Sequence, residues 1–306
     1  MIEISTTIKS VAQAKALLEV GVTKLLFGED TFGLRLAHSF SRAEQRELIA
    51  LAHSYGAKAC VMVNALMHNE QIEQLPDYLT FLKAAGADEV MAGDPGVFQI
   101  MKQPEYRLPF IYDAQTMVVS ARQINFWAKR GASGGMLAHE VPYEELTMLA
   151  PQLTVPATFL VYGASCIHQS RRPLVQNYLN FIKKDDLITK ERGLFISEPR
   201  KDETHYSIYE DVNGTHIFAN HDVNLLGQLD KLLAIGMHDW KLDGLFVEEG
   251  RFVEIVALFV TVKRLYETAA FKETMLLGLS EKLTHLHPKT RSMDTGFFLM
   301  DPEAVK

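Results

Sequence analysis

Short apolar or β-branched runs alternate with amphipathic, punctuated stretches from the first residue onward, and that rhythm limits the fold more than any other feature of the chain. The runs predict strands at 2–6, 24–28, 58–65, 89–94, 109–116, 135–141, 156–163 and 239–245. Helical periodicity fills the gaps between the early ones, at 11–20, 41–55, 70–85, 97–102, 121–130 and 143–149. Ser41 followed by Glu44 has the spacing of a capping box, and Gly21, Gly56, Gly86 and Gly131 stand where helices should end. Strands regularly separated by helices point to parallel βαβ units with right-handed crossovers. Eight of them in 306 residues match an α/β fold of the (β/α)8 TIM-barrel type. An open doubly wound sheet is the rival, but no G-x-G-x-x-G follows the first strand to make a dinucleotide turn.

The rhythm breaks once. Residues 164–238 hold a loop, a helical piece near 174–184 and a hairpin at 205–219, with Asn213-Gly214 as its turn signal. This reads as an insertion before the eighth strand, lying over the C-terminal mouth where barrel sites collect. A long helix at 251–269 should close the barrel, and 270–306 adds a helix and a tail to what reads as a single domain over 1–306. The opening MIEISTTIKS lacks a basic segment followed by an apolar run, and no stretch is apolar for long enough to span a bilayer. Two cysteines exclude a disulfide framework and suit a reducing, cytoplasmic setting. A formal charge of −7 gives no overall attraction to nucleic acid or anionic lipid. A local basic cluster (Arg171, Arg172, Lys183, Lys184, Lys190, Arg192) reads as a solvated loop.

Side chains alternate along a strand, so polar residues on an otherwise apolar inward face need a reason. One face carries Cys60, Met62 and Asn64; another Ile111, Asp113 and Gln115; a third Met136, Ala138 and Glu140; the last strand offers Lys241 and Asp243. Asp94 ends the fourth strand, and His68 follows the third. A shared mouth would gather these tips. Glu140, Lys241 and Asp243 are the candidate catalytic set; Asn64, His68, Asp94, Gln115, Tyr162 and Cys166 are the candidate substrate-binding set. Lys241 beside Asp243 suits a carboxylate-bearing compound, with Asn64 and Gln115 as neutral hydrogen-bonders. Competing structural roles are a turn cap for Asp94 and a buried ion pair for Lys241 with Asp243 or Glu140.

Hydrolytic motifs are incomplete. His139-Glu140 begins H-E-x-x-H, but position 143 is Tyr, and no G-x-S-x-G occurs. Cys166 with His168 would form a catalytic pair only in an extended loop, and no third, orienting group is assignable. The scattered histidines show no ligand spacing, so no metal site is expected.

Several stretches carry a resemblance that covers nearly the whole chain: GVTKLLFGEDTFGLR, NALMHNE, AGDPGV, DAQTM, LAHEV, FLVYGASCI with QNYL after it, ISEP, DWKLDG and DTGFF. In this order and spacing they resemble peptidase family U32, the collagenase-like proteases. The resemblance implies a (β/α)8-like barrel and one of two activities, peptidase or hydroxylation of nucleic acid, including prephenate-dependent formation of 5-hydroxyuridine in tRNA. Chains of this length resemble the smaller member of a two-protein tRNA hydroxylation pair. That implies a larger paralogue as partner, tRNA met mainly through that partner, and a small acid such as prephenate as ligand. A non-catalytic binding subunit is the further alternative. Cluster-bearing relatives hold an iron–sulfur centre on four cysteines. Here Pro173, the SEPR of 197–200 and the Asn220-His221-Asp222 stretch stand where three of those cysteines are expected, so no cluster is expected on this chain.

Overall fold

The computed structural model describes residues 1–114 and 117–305, the side chains at 202 and 203 excepted. Strands β1 (Glu3–Thr7), β2 (Lys24–Phe27), β3 (Lys58–Met62), β4 (Glu89–Ala92), β5 (Phe110–Tyr112), β6 (Ala132–Met136) and β7 (Ala157–Gly163) pair in parallel and in sequence order. Helices α1 (Val11–Val20), α2 (Arg42–Ser54), α3 (Asn69–Ala85), α4 (Pro95–Met101), α5 (Ala121–Ala128) and α6 (Tyr143–Leu149) carry the chain back between them. After β7 come β8 (Cys166–Ser170), α7 (Leu174–Ile182), β9 (Phe195–Glu198), β10 (Lys201–Asp211), β11 (Gly214–Phe218), β12 (His221–Asn224) and α8 (Leu229–Ala234). Strand β13 (Asp239–Leu242) then pairs in parallel with both β1 and β7 and closes the ring at eight strands. Helices α9 (Glu249–Glu267) and α10 (Thr274–Leu286), strand β14 (Ser292–Asp294) and helix α11 (Pro302–Val305) follow. The architecture is a closed α/β barrel with an insertion before its eighth strand.

Local chemistry explains the elements. Ser41 and Glu44 form the expected capping box on α2. Gly21, Gly56, Gly86 and Gly131 lie just past their helices at positive φ. Strand six is the clearest difference from expectation, running Ala132–Met136 rather than 135–141. Its central glycines weaken the strand signal, yet tertiary packing requires one of them. A Cβ on Gly135 would meet Ile124 of α5 at 2.8 Å.

The barrel has two apolar layers. A small interior cluster of Leu26, Leu36, Cys60, Met62, Met91 and Ile111 fills the lumen, while the main core lies between the strands and the helices. At the N-terminal end of the lumen, Lys24 Nζ pairs with Glu89 at 2.7 Å and Glu3 at 3.3 Å, and Lys58 reaches Glu3 at 3.0 Å.

The insertion forms its own antiparallel sheet, ordered β8-β11-β10-β9. Its hairpin turns at Val212 and Asn213, one residue earlier than the Asn213-Gly214 signal, because the Asp211 carboxylate accepts from the Asn213 N–H at 2.7 Å and draws the chain round early. Asn213 Nδ2 donates to the carbonyls of Asp30 and Gly33 at 3.1 and 3.2 Å, and Lys190 Nζ to those of Leu36 and Ala37 at 2.9 and 2.7 Å. Lys190 is therefore an anchor between the insertion and the loop after β2, not part of a solvated basic cluster. Tyr209 and Phe218 of the insertion bury against Ala37 and Leu245, which seats the sheet on the mouth. The tail also docks on its own barrel. Phe298 is buried against Tyr143 and Phe159, and its carbonyl accepts from the Tyr143 N–H at 2.8 Å. Among the described residues no helix is long and apolar enough to cross a membrane.

Candidate functional site at the barrel mouth

Neighbouring strand tips at the C-terminal end approach unusually closely. A Cβ on Gly93 would lie 2.0 Å from the Asp113 carbonyl oxygen, and one on Gly163, at φ +120, 2.3 Å from that of Asp243. Glycine alone permits such contacts, and they bring acidic tips together round the rim. Arg35, Asp113, His139, Ser165, Cys166, Lys241 and Asp243 converge there on one hollow. Its volume is about 80 Å³, several times the roughly 10–15 Å³ that one water needs. A second hollow opens beside it, sharing Arg35, Asp113 and Cys166 and adding Asn64 and Asp94.

The predicted tips are held as follows. Lys241 Nζ pairs with Asp243 Oδ2 at 3.2 Å, both side chains being largely buried. The other oxygen of Asp243 accepts from the Thr7 hydroxyl at 3.2 Å and the Leu245 N–H at 3.1 Å, so the carboxylate is fixed and the ammonium is presented to the hollow. Asn64 donates from Nδ2 to Asp113 at 2.8 Å and accepts from the Leu34 N–H at 3.0 Å, which ties the loop carrying Arg35 to the rim. Asp94 caps α4 through Gly96 at 2.6 Å and also accepts from the Met67 N–H at 2.9 Å. The turn-cap role holds for it even though it borders the second hollow.

Three predicted residues sit elsewhere. His68 is an exposed residue at the N-terminus of α3 and lines neither hollow. Tyr162 is fully buried on the outer side, its hydroxyl 2.8 Å from His287 Nδ1 and its ring against Phe252 and Phe259. Strict alternation from Leu160 would turn Tyr162 inward, but a register shift against β13 pairs it with outward-facing Leu242. Glu140 is half-buried and outside the hollow, because β6 ends at Met136 and the following turn breaks the alternation. Burial raises its carboxyl pKa. Gln115 lies outside the described residues.

His139 occupies the place expected for Glu140. Burial first, then the charges of Arg35 and Lys241, push its imidazole down to about 4, so it is neutral at pH 7. Its Nε2 is buried in the wall of the hollow without a hydrogen-bond partner. Sequence reasoning weighs His139 only as the start of an incomplete H-E-x-x-H, and Arg35 not at all. Arg35 holds φ +53, a conformation that side-chain-bearing residues adopt at a cost, and its Nη1 donates to Gln169 at 3.1 Å. The signal for both lay in the GLR and LAHEV stretches of the resemblance, not in composition or periodicity. The mouth thus presents two cations, Arg35 and Lys241, a neutral imidazole, and fixed carboxylates and amides. That set suits an anionic or carbonyl-rich ligand.

The family model of peptidase family U32 matches residues 9–306. The chain belongs to this family. The tRNA hydroxylation protein P2 of Bacillus subtilis (strain 168) is 31% identical over 98% of this chain and 98% of its own length. The tRNA hydroxylation protein P1 of the same organism is 24% identical over 82% of this chain, which spans only 59% of P1. The solved structure of the U32 peptidase Mk0906 superposes with a TM-score of 0.50 at 11% identity, over 79% of this chain and 92% of that one, a likeness of fold. A four-cysteine cluster does not fit this U32 chain. Cys60 is sealed in the lumen and Cys166 stands at the mouth, and among the described residues no group of three or more His, Cys, Asp or Glu could hold a metal ion.

Proposed function

We propose that this chain acts in tRNA hydroxylation, at C5 of uridine, as the smaller subunit paired with a longer U32 paralogue in the cytoplasm. The observation that carries the reading is the end-to-end match to protein P2, against a match to little more than half of P1. Two such proteins in one organism fit a division of labour. A cluster ligated by four cysteines would reside on the longer subunit, and this chain would supply the mouth.

In that mouth Lys241 and Arg35 bind and orient a small organic acid such as prephenate, while Asp243 and Thr7 hold the Lys241 ammonium in position. Asn64 and Asp113 set the opposite rim. The tRNA would be met chiefly by the partner, since this chain has a net charge of −7. The test is nucleoside mass spectrometry of tRNA from a deletion strain complemented with wild type or Lys241→Met. Asp243 keeps two other donors, so the loss of its ion partner should cost about 1–3 kcal/mol and leave the fold intact. The expected result is 5-hydroxyuridine lost in the deletion strain, restored by wild type and not restored by the variant. Hydroxylation unchanged by the deletion overturns the reading, and an unfolded variant makes the pair structural.

A further inference from the structure

Cys166, His216 and Asp211 form a cluster that the ligand-binding chemistry of the mouth leaves unused. Strand β8 pairs antiparallel with β11, and the register slips at Ile167, so that Cys166 faces Phe218 while Gln169 faces His216. Residues facing one another across a ladder share a side of the sheet, as do residues two apart. The bulge therefore places Cys166, Gln169, His216 and Phe218 on one side. That side looks into the barrel: Cys166 and Phe218 line the mouth hollow, and Gln169 accepts from Arg35.

His216 is fully buried, with Nε2 2.9 Å from Asp211 Oδ1. A carboxylate only accepts, so Nε2 carries the proton and Nδ1 holds a lone pair. Nδ1 has no hydrogen-bond partner, a rare state for a buried acceptor. Cys166, partly exposed, is a donor on the same side of the sheet that couples to His216, its thiol now resting against the His168 carbonyl at 3.3 Å. Burial pushes the thiol pKa up, but His216 and Arg35 outweigh it and bring it below the ordinary value. Burial lowers the pKa of His216, yet Asp211 and the thiol leave it raised. Within the wall of the same hollow, His139 Nε2 and Ser165 Oγ are also buried and unpartnered.

We infer that Asp211, His216 and Cys166 form a proton relay that makes Cys166 a thiolate nucleophile toward C6 of a pyrimidine base seated in the mouth. This rests on the tRNA hydroxylation reading above. His216 Nδ1 takes the thiol proton, and Asp211 stabilises the imidazolium that results. The thiolate lone pair forms the S–C6 bond as the C5=C6 π pair moves toward C5 and O4, giving an enolate. Arg35 is the cation beside the thiol for the charge on O4. A solvent proton adds at C5; loss of the original H5 followed by expulsion of the thiolate returns the base. No redox partner is needed, and while the adduct lasts C5 is an enolate carbon, far more nucleophilic than C5 of free uridine.

Two measurements on the full-length chain, alone and mixed with its longer paralogue, test this. The first is iodoacetamide alkylation of Cys166 against pH, read by peptide mass, with fully buried Cys60 as internal silence. The groups acting on the thiol are His216 and Tyr209 of the insertion, Arg35 of the loop after β2 and the His168 backbone on its own strand, while Lys241 and Asp243 line the same hollow. Wild type should alkylate with a midpoint below that of a free thiol, about 8.5, and His216→Asn and Asp211→Asn should slow it about tenfold at pH 6.5 through the lost thiolate. A free-thiol midpoint, or variants that react like wild type, overturns the relay. The second is exchange of H5 for deuterium in uridine of an unmodified tRNA transcript incubated in D2O. Exchange should occur with wild type and vanish in Cys166→Ser. A reactive thiol without exchange overturns the base-addition step. If the deletion strain nevertheless loses 5-hydroxyuridine, the functional reading survives and this inference alone falls.

Discussion

His139 should refuse a proton that most histidines accept. Its folded pKa of about 4, against 6.5 unperturbed, comes first from burial and then from Arg35 and Lys241. The sign follows from linkage: a depressed pKa means the unfolded chain takes the proton first, so this stability is complete above pH 6.5 and is lost as pH falls toward 4. Moving from 6.5 to about 4 corresponds to roughly 3 kcal/mol once the window is crossed, and about 2 kcal/mol is already gone at pH 5. The assay is urea denaturation of wild type and His139→Asn at pH 7.5 and pH 5, with the imidazole proton followed by NMR over the same range. Wild type should lose about 2 kcal/mol more than the variant between the two pH values. An imidazole that titrates near 6.5, or equal losses in both proteins, would refute the reasoning. His139 would then not be buried beside the cations of the mouth as the geometry puts it.

Asp239, in the ion network at the N-terminal end of the lumen, is pushed up to about 6 by burial and the nearby Glu3 charge. A raised carboxyl pKa gives stability that is complete below about 3.8 and is lost as pH rises through 6, so Asp239→Asn should stabilise the protein at pH 7 by about 1–2 kcal/mol after allowance for its partial exposure. The gain should vanish at pH 4 in calorimetry; a variant less stable at pH 7 contradicts it. Tyr162→Phe strips the hydrogen bond from His287 Nδ1 and should cost about 1–3 kcal/mol while leaving hydroxylation intact. Lost hydroxylation at unchanged stability would return Tyr162 to the site. Gly163→Ala places a Cβ against the Asp243 carbonyl at φ +120 and should cost about 2 kcal/mol or more in thermal unfolding. Wild-type stability there would mean that the strand tips are not pressed together.

By itself the sequence determined the barrel, because apolar periodicity and helix punctuation are local and eight repeats leave few ways to close. It also brought Asn64, Lys241 and Asp243 to the mouth, since the two-residue alternation of β3 and β13 carries on just past their ends. Tertiary structure decided the rest. A register shift turned Tyr162 away, an early strand end put His139 where Glu140 was expected, and a bulge at Ile167 brought Cys166 to the side of His216 rather than His168. Such irregularities are set by neighbouring strands and packed helices, and they flip every residue beyond them to the opposite face. Arg35 was hidden for a related reason. A loop residue has no periodicity to betray its direction, and only the bonds from Asn64, Asn213 and Lys190 that pin the loop bring it over the mouth.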